Sequence, residues 1–241
     1  MPGSSAPATS ETTDGAPAAN DNGGMLAPKA AISWSGGKDC CLAALRAWHS
    51  FDIVAMVTMF NEDGGRSRSH GLRPALVAAH ANRLGLEEFS ARCTWDTYTD
   101  EYTSMLARLP ERGITHVVFG DIAGDGHREW NERVCRAHGL TPIMPLWAQP
   151  TAQLVREFIA LGGEARLVTV RAPPLDRSWL GLPLTDQTVR RLESIGVDPC
   201  GEFGEYHTIV TNCPRFSSPL AVVTGESVRR GDCWALDMDV H

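Results

Sequence analysis

Six consecutive residues, Ser35-Gly36-Gly37-Lys38-Asp39-Cys40, place a hydroxyl, two glycines, an ammonium, a carboxylate and a thiol directly after an apolar run at 30–34. Two glycines between a strand and a helix let the backbone turn tightly and let its N–H groups face an anion. The helix start adds partial positive charge. Lys38 adds a full charge and Ser35 a hydroxyl donor. The loop reads as a phosphate cradle, and the plain alternative is a Gly-Gly turn. It is not a Walker loop: Ile32 stands where that motif has its first Gly, and Asp39 where it has Ser or Thr. An acid directly after the lysine suits a Mg²⁺ ion chelated by phosphates, so Asp39 is the candidate metal ligand.

Three further segments carry polar chemistry. Arg66, Arg68, His70 and Arg73 lie within eight residues of an otherwise acidic chain. They suit a clamp on a triphosphate or an acidic substrate, and the glycines beside them suit a lid; a solvated loop is the alternative. Gly120-Asp121 follows an apolar run, where a carboxylate can hold a ribose hydroxyl, a metal or an amine. It equally suits a helix N-cap. Arg128, a candidate substrate contact, stands four residues before Glu132, the spacing of a surface ion pair. Finally, Cys200, Glu202, Glu205 and His207 fall within eight residues with Gly201 and Gly204. Such a loop can bind a cation or an ammonium group or supply a general base. A metal site there ranks lower, because the spacing fits no zinc pattern. A polar turn is the alternative.

The elements that must position these residues are legible in outline. Apolar runs at 30–34, 51–60, 87–94, 115–122 and 141–147 read as strands. Stretches at 38–49, 74–84, 100–112 and 128–138 read as amphipathic helices. Strands alternating with helices imply right-handed crossovers and a parallel sheet. Ligands of such sheets bind beyond the carboxyl ends of the strands, so residues 33–39, 60–71 and 120–130 should converge on one rim. After Pro150 the texture changes. Helices at 151–161 and 185–195, each with a Thr cap, strands at 164–170 and 208–211, and a hairpin at 222–240 read as a smaller α+β subdomain over 151–241.

Residues 1–28, mostly Ala, Pro, Gly, Ser and Thr with no Lys or Arg, read as a disordered tail. They lack the basic and apolar parts of a secretory signal and the arginines of a transit peptide. Net charge is −7, so the broad positive field of a nucleic-acid binder is absent, and nucleic acid is not an expected partner. No apolar run approaches the ~18 residues of a membrane span. Seven cysteines without a C-x-x-C pair read as reduced thiols in a cytoplasmic protein.

Together the segments SGGKDC (35–40), SHGL (69–72), GDI with the following R-x-W and E-R-V-C-x-x-x-G-L (120–140), and GEFGEYHT (201–208) resemble the diphthine–ammonia ligase family of the ATP-pyrophosphatase, or PP-loop, superfamily. The resemblance covers about residues 29–216; GEFGEYHT is its most specific part. It implies a Rossmann-like α/β sheet of the HUP type, with a PP-loop ATP-binding domain at 29–150 and a substrate-binding subdomain at 151–241. It implies ATP with Mg²⁺, activation of a carboxylate as an acyl-adenylate, and attack by ammonia to give an amide, AMP and pyrophosphate. The acceptor is diphthine, a modified His of a translation elongation factor, or a small-molecule acid. Ser35, Gly36, Gly37, Lys38, Asp39 and Cys40 would bind ATP. Arg66, Arg68, His70, Gly120, Asp121, Arg128, Glu202 and Glu205 would bind substrate, and Lys38, Asp39, Glu205 and His207 would be catalytic. The superfamily usually has Ser where this chain has Cys40. A homodimer is left open. The alternatives are another PP-loop adenylating reaction, as in tRNA modification, and a non-catalytic ATP- or AMP-binding module.

Overall fold

The computed structural model describes residues 26–241; the expected tail at 1–28 falls almost wholly outside them. Five strands, β1 (Lys29–Ser33), β2 (Asp52–Asn61), β3 (Glu87–Cys93), β4 (His116–Val118) and β5 (Thr141–Ile143), form one sheet. Its order is β3-β2-β1-β4-β5, and every pairing in it is parallel. The chain winds outward from β1 to β3, then restarts at β4 on the other side of β1. A crevice opens beyond the strand ends where the winding reverses. The α/β sheet expected from the alternating pattern is therefore present.

Helices cover both faces. On one side α1 (Lys38–Ala47), α2 (Pro74–Leu84) and α5 (Thr151–Ala160) pack with Ile32, Leu42, Leu76 and Phe158 buried. On the other, α3 (Tyr98–Leu106) and α4 (Asp125–Arg136) bury Tyr102 and Val134 against Val57, Phe89 and Val117. The punctuation of α2 follows helix-end chemistry. Pro74 opens it, where its missing N–H costs nothing. Gly85 closes it in a left-handed conformation, φ 68°.

A second sheet, antiparallel in the order β7-β6-β9-β8, comprises β6 (Glu164–Arg171), β7 (Tyr206–Asn212), β8 (Val222–Arg230) and β9 (Cys233–Val240). It is joined by α6 (Asp186–Ser194), capped by the Thr185 hydroxyl on the Thr188 amide. This sheet shares its core with the first: Leu167, Val170 and Ile209 belong to the cluster that holds Ile32 and Leu42. Backbone joins them too, since the Val210 amide donates to the Gly36 carbonyl at 2.8 Å.

Several expected boundaries moved. The strands at 115–122 and 141–147 shrink to three residues each, because the chain after Val118 leaves the sheet to bring Gly120 against α1. The helix expected over 100–112 stops at Leu106, ahead of Pro110, which opens a separate 3-10 turn at Pro110–Arg112. The cap of α5 is Pro150 rather than Thr151, whose hydroxyl donates to Asp198 instead at 2.6 Å. All seven cysteines are free thiols, and only Cys233 is not fully buried.

Candidate functional site

A cavity of about 550 Å³ lies in the crevice at the β1–β4 switch point. The loops after β1 and β4 and the segment before β7 meet in it, so the rim inferred from the alternating pattern exists. The two loop glycines are needed for different reasons. Gly36 has φ +84°, which a side chain disfavours. Gly37 has ordinary backbone angles, but a Cβ there would lie 2.2 Å from His70 Cε1.

Lys38 is almost fully buried, 2% exposed. Its Nζ donates to Asp39 Oδ2 at 2.8 Å and to the Cys200 carbonyl, and stands 5.0 Å above the Tyr206 ring. Burial works against its charge, but Asp39, with Tyr206 and Cys200 behind it, holds its pKa above the ordinary lysine value. The Lys38 amide donates to Thr208 Oγ1 at 3.1 Å, and the Gly37 amide faces Ser35 Oγ at 3.3 Å. Two N–H groups expected to face a phosphate thus have hydroxyl partners, which a phosphate oxygen would have to replace. Cys40 is buried and donates through Sγ to the Gly37 carbonyl at 3.1 Å, while Ser35 Oγ approaches the sulfur at 3.3 Å. Burial pushes its pKa up, so it stays a thiol.

Gly120 serves close approach: a Cβ on it would lie 2.7 Å from the Cys40 nitrogen. Asp121 lines the cavity, accepting from Asn131 Nδ2 at 3.1 Å with His127 Nδ1 at 3.3 Å. Glu202 faces the same space. Burial, then the Asp39 carboxylate, push its pKa up to about 7 against the pull of Lys38. His70 and His207 stack with ring centroids 4.6 Å apart. His70 Nδ1 lies 2.8 Å from the Thr208 carbonyl. A carbonyl only accepts, so Nδ1 carries the proton and Nε2 keeps a lone pair. Burial lowers the pKa of both rings; His207 also disfavours charge on His70, and Lys38 on His207.

Other sequence-selected residues lie elsewhere. Glu205 does not line the cavity; it is 7% exposed and its Oε2 accepts from the Phe203 amide at 3.0 Å, holding the turn into β7. Arg128 pairs with Glu132 at 3.0 Å on the outer face of α4. Arg66 pairs with Asp237 of β9 at 2.7 Å, and Arg73 grips the same carboxylate. The 61–73 loop is thus stapled to the second sheet rather than hung as a free lid. Arg68 sits over the Trp95 ring, 3.9 Å from its centroid.

The sequence reading passed over part of the site. Trp95, Tyr98, Trp130 and Asn131 line the cavity. The loop after β3 leaves the sheet at the same carboxyl rim as the others, so the rule that selected three loops should have selected this fourth one. His80 had no such signal. It is buried on α2, accepts from Trp34 Nε1 at 3.1 Å through Nδ1, and donates through Nε2 to the Val210 carbonyl at 2.8 Å. Burial drops its pKa to about 4. It props the end of β1 against β7 as a neutral ring.

Family models match both halves: "Diphthamide synthase N-terminal domain" over residues 28–142 and "Diphthamide synthase C-terminal domain" over 150–238. The chain belongs to the diphthamide synthase, or diphthine–ammonia ligase, family. Among relatives, the "Diphthine--ammonia ligase" of Rattus norvegicus is 30% identical over 220 residues, 80% of this chain and 82% of that one. That of Danio rerio is 30% identical over 226 residues, 82% and 88% of the two chains. That of Schizosaccharomyces pombe is 27% identical over 217 residues, but the match spans only 36% of its length. A solved structure described as a predicted tRNA methyltransferase subunit of Methanocaldococcus jannaschii aligns with TM-score 0.42 and 14% identity over 78% of this chain and 98% of that one. In this chain each of the four segments that carried the resemblance contributes residues to the cavity. Among the described residues no helix is long and apolar enough to cross a membrane.

Proposed function

We propose that the chain is an ATP-dependent amide ligase whose acceptor is the carboxylate of diphthine. The observation that carries the reading is convergence. Lys38 of the phosphate loop bonds Cys200, next to the family-specific segment, and Thr208, its last residue, inside one cavity. A nucleotide-only module needs no such joint.

The chemistry requires two displacements. An acceptor carboxylate oxygen attacks the α-phosphorus of ATP, the α–β bridging bond breaks, and pyrophosphate leaves. Ammonia then attacks the acyl carbon, and AMP leaves with the bonding electrons. The protein contributes chiefly alignment and charge stabilisation. In this reading residues 29–150 supply the nucleotide half and 151–241 the acceptor half. Phosphates lie on residues 35–40 with Lys38 beneath them, and Asp121 takes a ribose hydroxyl or an amine. Glu202, titrating near pH 7, takes the proton from ammonium, because a base is most effective when its pKa is near the working pH. His207, neutral at that pH, positions the acceptor.

Among the described residues no three His, Cys, Asp or Glu side chains cluster to hold a metal ion on their own. Mg²⁺ normally takes one or two carboxylates and completes its shell with phosphate oxygens and water. Asp39, its carboxylate 28% exposed beside the loop, fits that donor set. Mg²⁺ held there would neutralise phosphate charge. The test is incubation with MgATP, ammonium and a diphthine-bearing translation elongation factor. AMP, pyrophosphate and the amide are expected in equal amounts. ADP and phosphate as the only nucleotide products would overturn the reading.

A further inference from the structure

A second cavity, of about 310 Å³, lies between the 61–73 loop and the β8–β9 hairpin. It shares a wall with the first: Ser69, His70, Trp95 and His207 line both. The two cavities carry opposite charge. The charged side chains of the first are Lys38 against Asp39, Asp121 and Glu202. Those of the second are Arg66, Arg68 and Arg230 against Asp237 alone. Arg66 spends its charge on Asp237. Arg68 does not: Nη1 donates to Asn61 Oδ1 at 3.1 Å, while Nε and Nη2 are buried without a partner. Those two nitrogens form one edge of the guanidinium plane, the fork that grips a carboxylate with two parallel bonds. Leaving such donors unmet is costly, so the edge favours an acceptor group; both nitrogens are shielded from solvent, and an acceptor reaches them once the loop side chains around them shift. The Trp95 ring stacked on this guanidinium is 71% exposed.

We infer that the second cavity is the entrance for the acceptor, with Arg68 receiving its carboxylate before it crosses the His70–His207 wall to the nucleotide. The inference rests on the amide-ligase reading and adds a division of doors to it. ATP and its metal occupy the acidic first cavity. The acceptor anion comes through the basic one, so neither substrate blocks the other. The frame of this entrance is rigid, because Arg66 and Arg73 fasten the loop to Asp237.

Cys233 provides a direct test. It stands at this entrance, and the other six cysteines are buried. The full chain is labelled with a bulky maleimide, then assayed for ATP affinity by calorimetry and for AMP formation with a diphthine-bearing elongation factor and ammonium. Labelling should leave ATP affinity unchanged and cut acceptor-dependent AMP formation at least tenfold. A Cys233→Ser chain put through the same treatment should lose nothing. Independently, Arg68→Ala should raise the acceptor KM about tenfold or more with the ATP KM unchanged, and Arg68→Lys should restore part of it. Stoichiometrically labelled enzyme that still turns over at the unlabelled rate overturns the inference. So does an Arg68→Ala chain whose loss falls on the ATP KM. If the unlabelled wild-type chain makes no AMP with this acceptor, the amide-ligase reading itself falls, and this inference with it.

Discussion

Replacing Lys38 by Met keeps most of the aliphatic stem and removes the only lysine charge in the acidic cavity. In the absence of nucleotide the ammonium is engaged by Asp39 and the Cys200 carbonyl. Two consequences separate. The buried carbonyl loses its donor, which should cost roughly 1–3 kcal/mol of unfolding stability. The nucleotide also loses a charge-assisted contact and meets Asp39, Asp121 and Glu202 with no lysine between them. The binding loss is on the order of 1.5–3 kcal/mol, or roughly 10- to 150-fold in ATP affinity. Urea unfolding reads the first effect, and calorimetric titration of MgATP into chain shown folded by circular dichroism reads the second. ATP affinity within about threefold of wild type would refute the placement of phosphates on this loop.

Gly120→Ala should destabilise by about 1–3 kcal/mol, near the top of that range, because the new methyl meets backbone of the first turn of α1 rather than a yielding side chain; an unchanged urea midpoint would refute the close approach. Cys40→Ser offers a hydroxyl to the same Gly37 carbonyl and Ser35 hydroxyl, and should leave ATP affinity within about threefold in the same calorimetry. Glu202 is pushed up to about 7, so the folded chain holds that proton more tightly than the unfolded one. Relative to Glu202→Gln, wild-type stability should therefore fall as pH rises from about 4.5 to about 7 and level off beyond. Parallel melting-temperature curves across that interval would remove the shift. His207→Ala should leave ATP affinity nearly intact and lower amide formation by roughly 10²–10⁴-fold, read as acceptor-dependent pyrophosphate release.

The fold was legible because its signals are local. Alternating apolar runs and helical stretches, with Pro74 and Gly85 bracketing α2, need no knowledge of distant contacts. The strand–loop–helix join at 35–40 was legible for the same reason. What escaped depends on pairing across the chain. Arg66 and Arg73 look like free cations until β9 delivers Asp237, over 160 positions later in the sequence for Arg73. Glu205 and Glu202 are equivalent as letters; the turn points one at the Phe203 amide and the other at the cavity. His80 carries no motif at all, and its role exists only because Trp34 and Val210 arrive on either side of it.

The bonds from Lys38 to Thr208 and from Val210 to Gly36 also set a timetable. Domains form in order as a chain leaves the ribosome, and here Lys38 emerges about 170 residues before the strand that bonds its amide. During that interval the five-stranded sheet can assemble, but Lys38 has neither Cys200 nor Tyr206 beside it. The surroundings of Lys38 are therefore complete only once β7 has joined the first sheet.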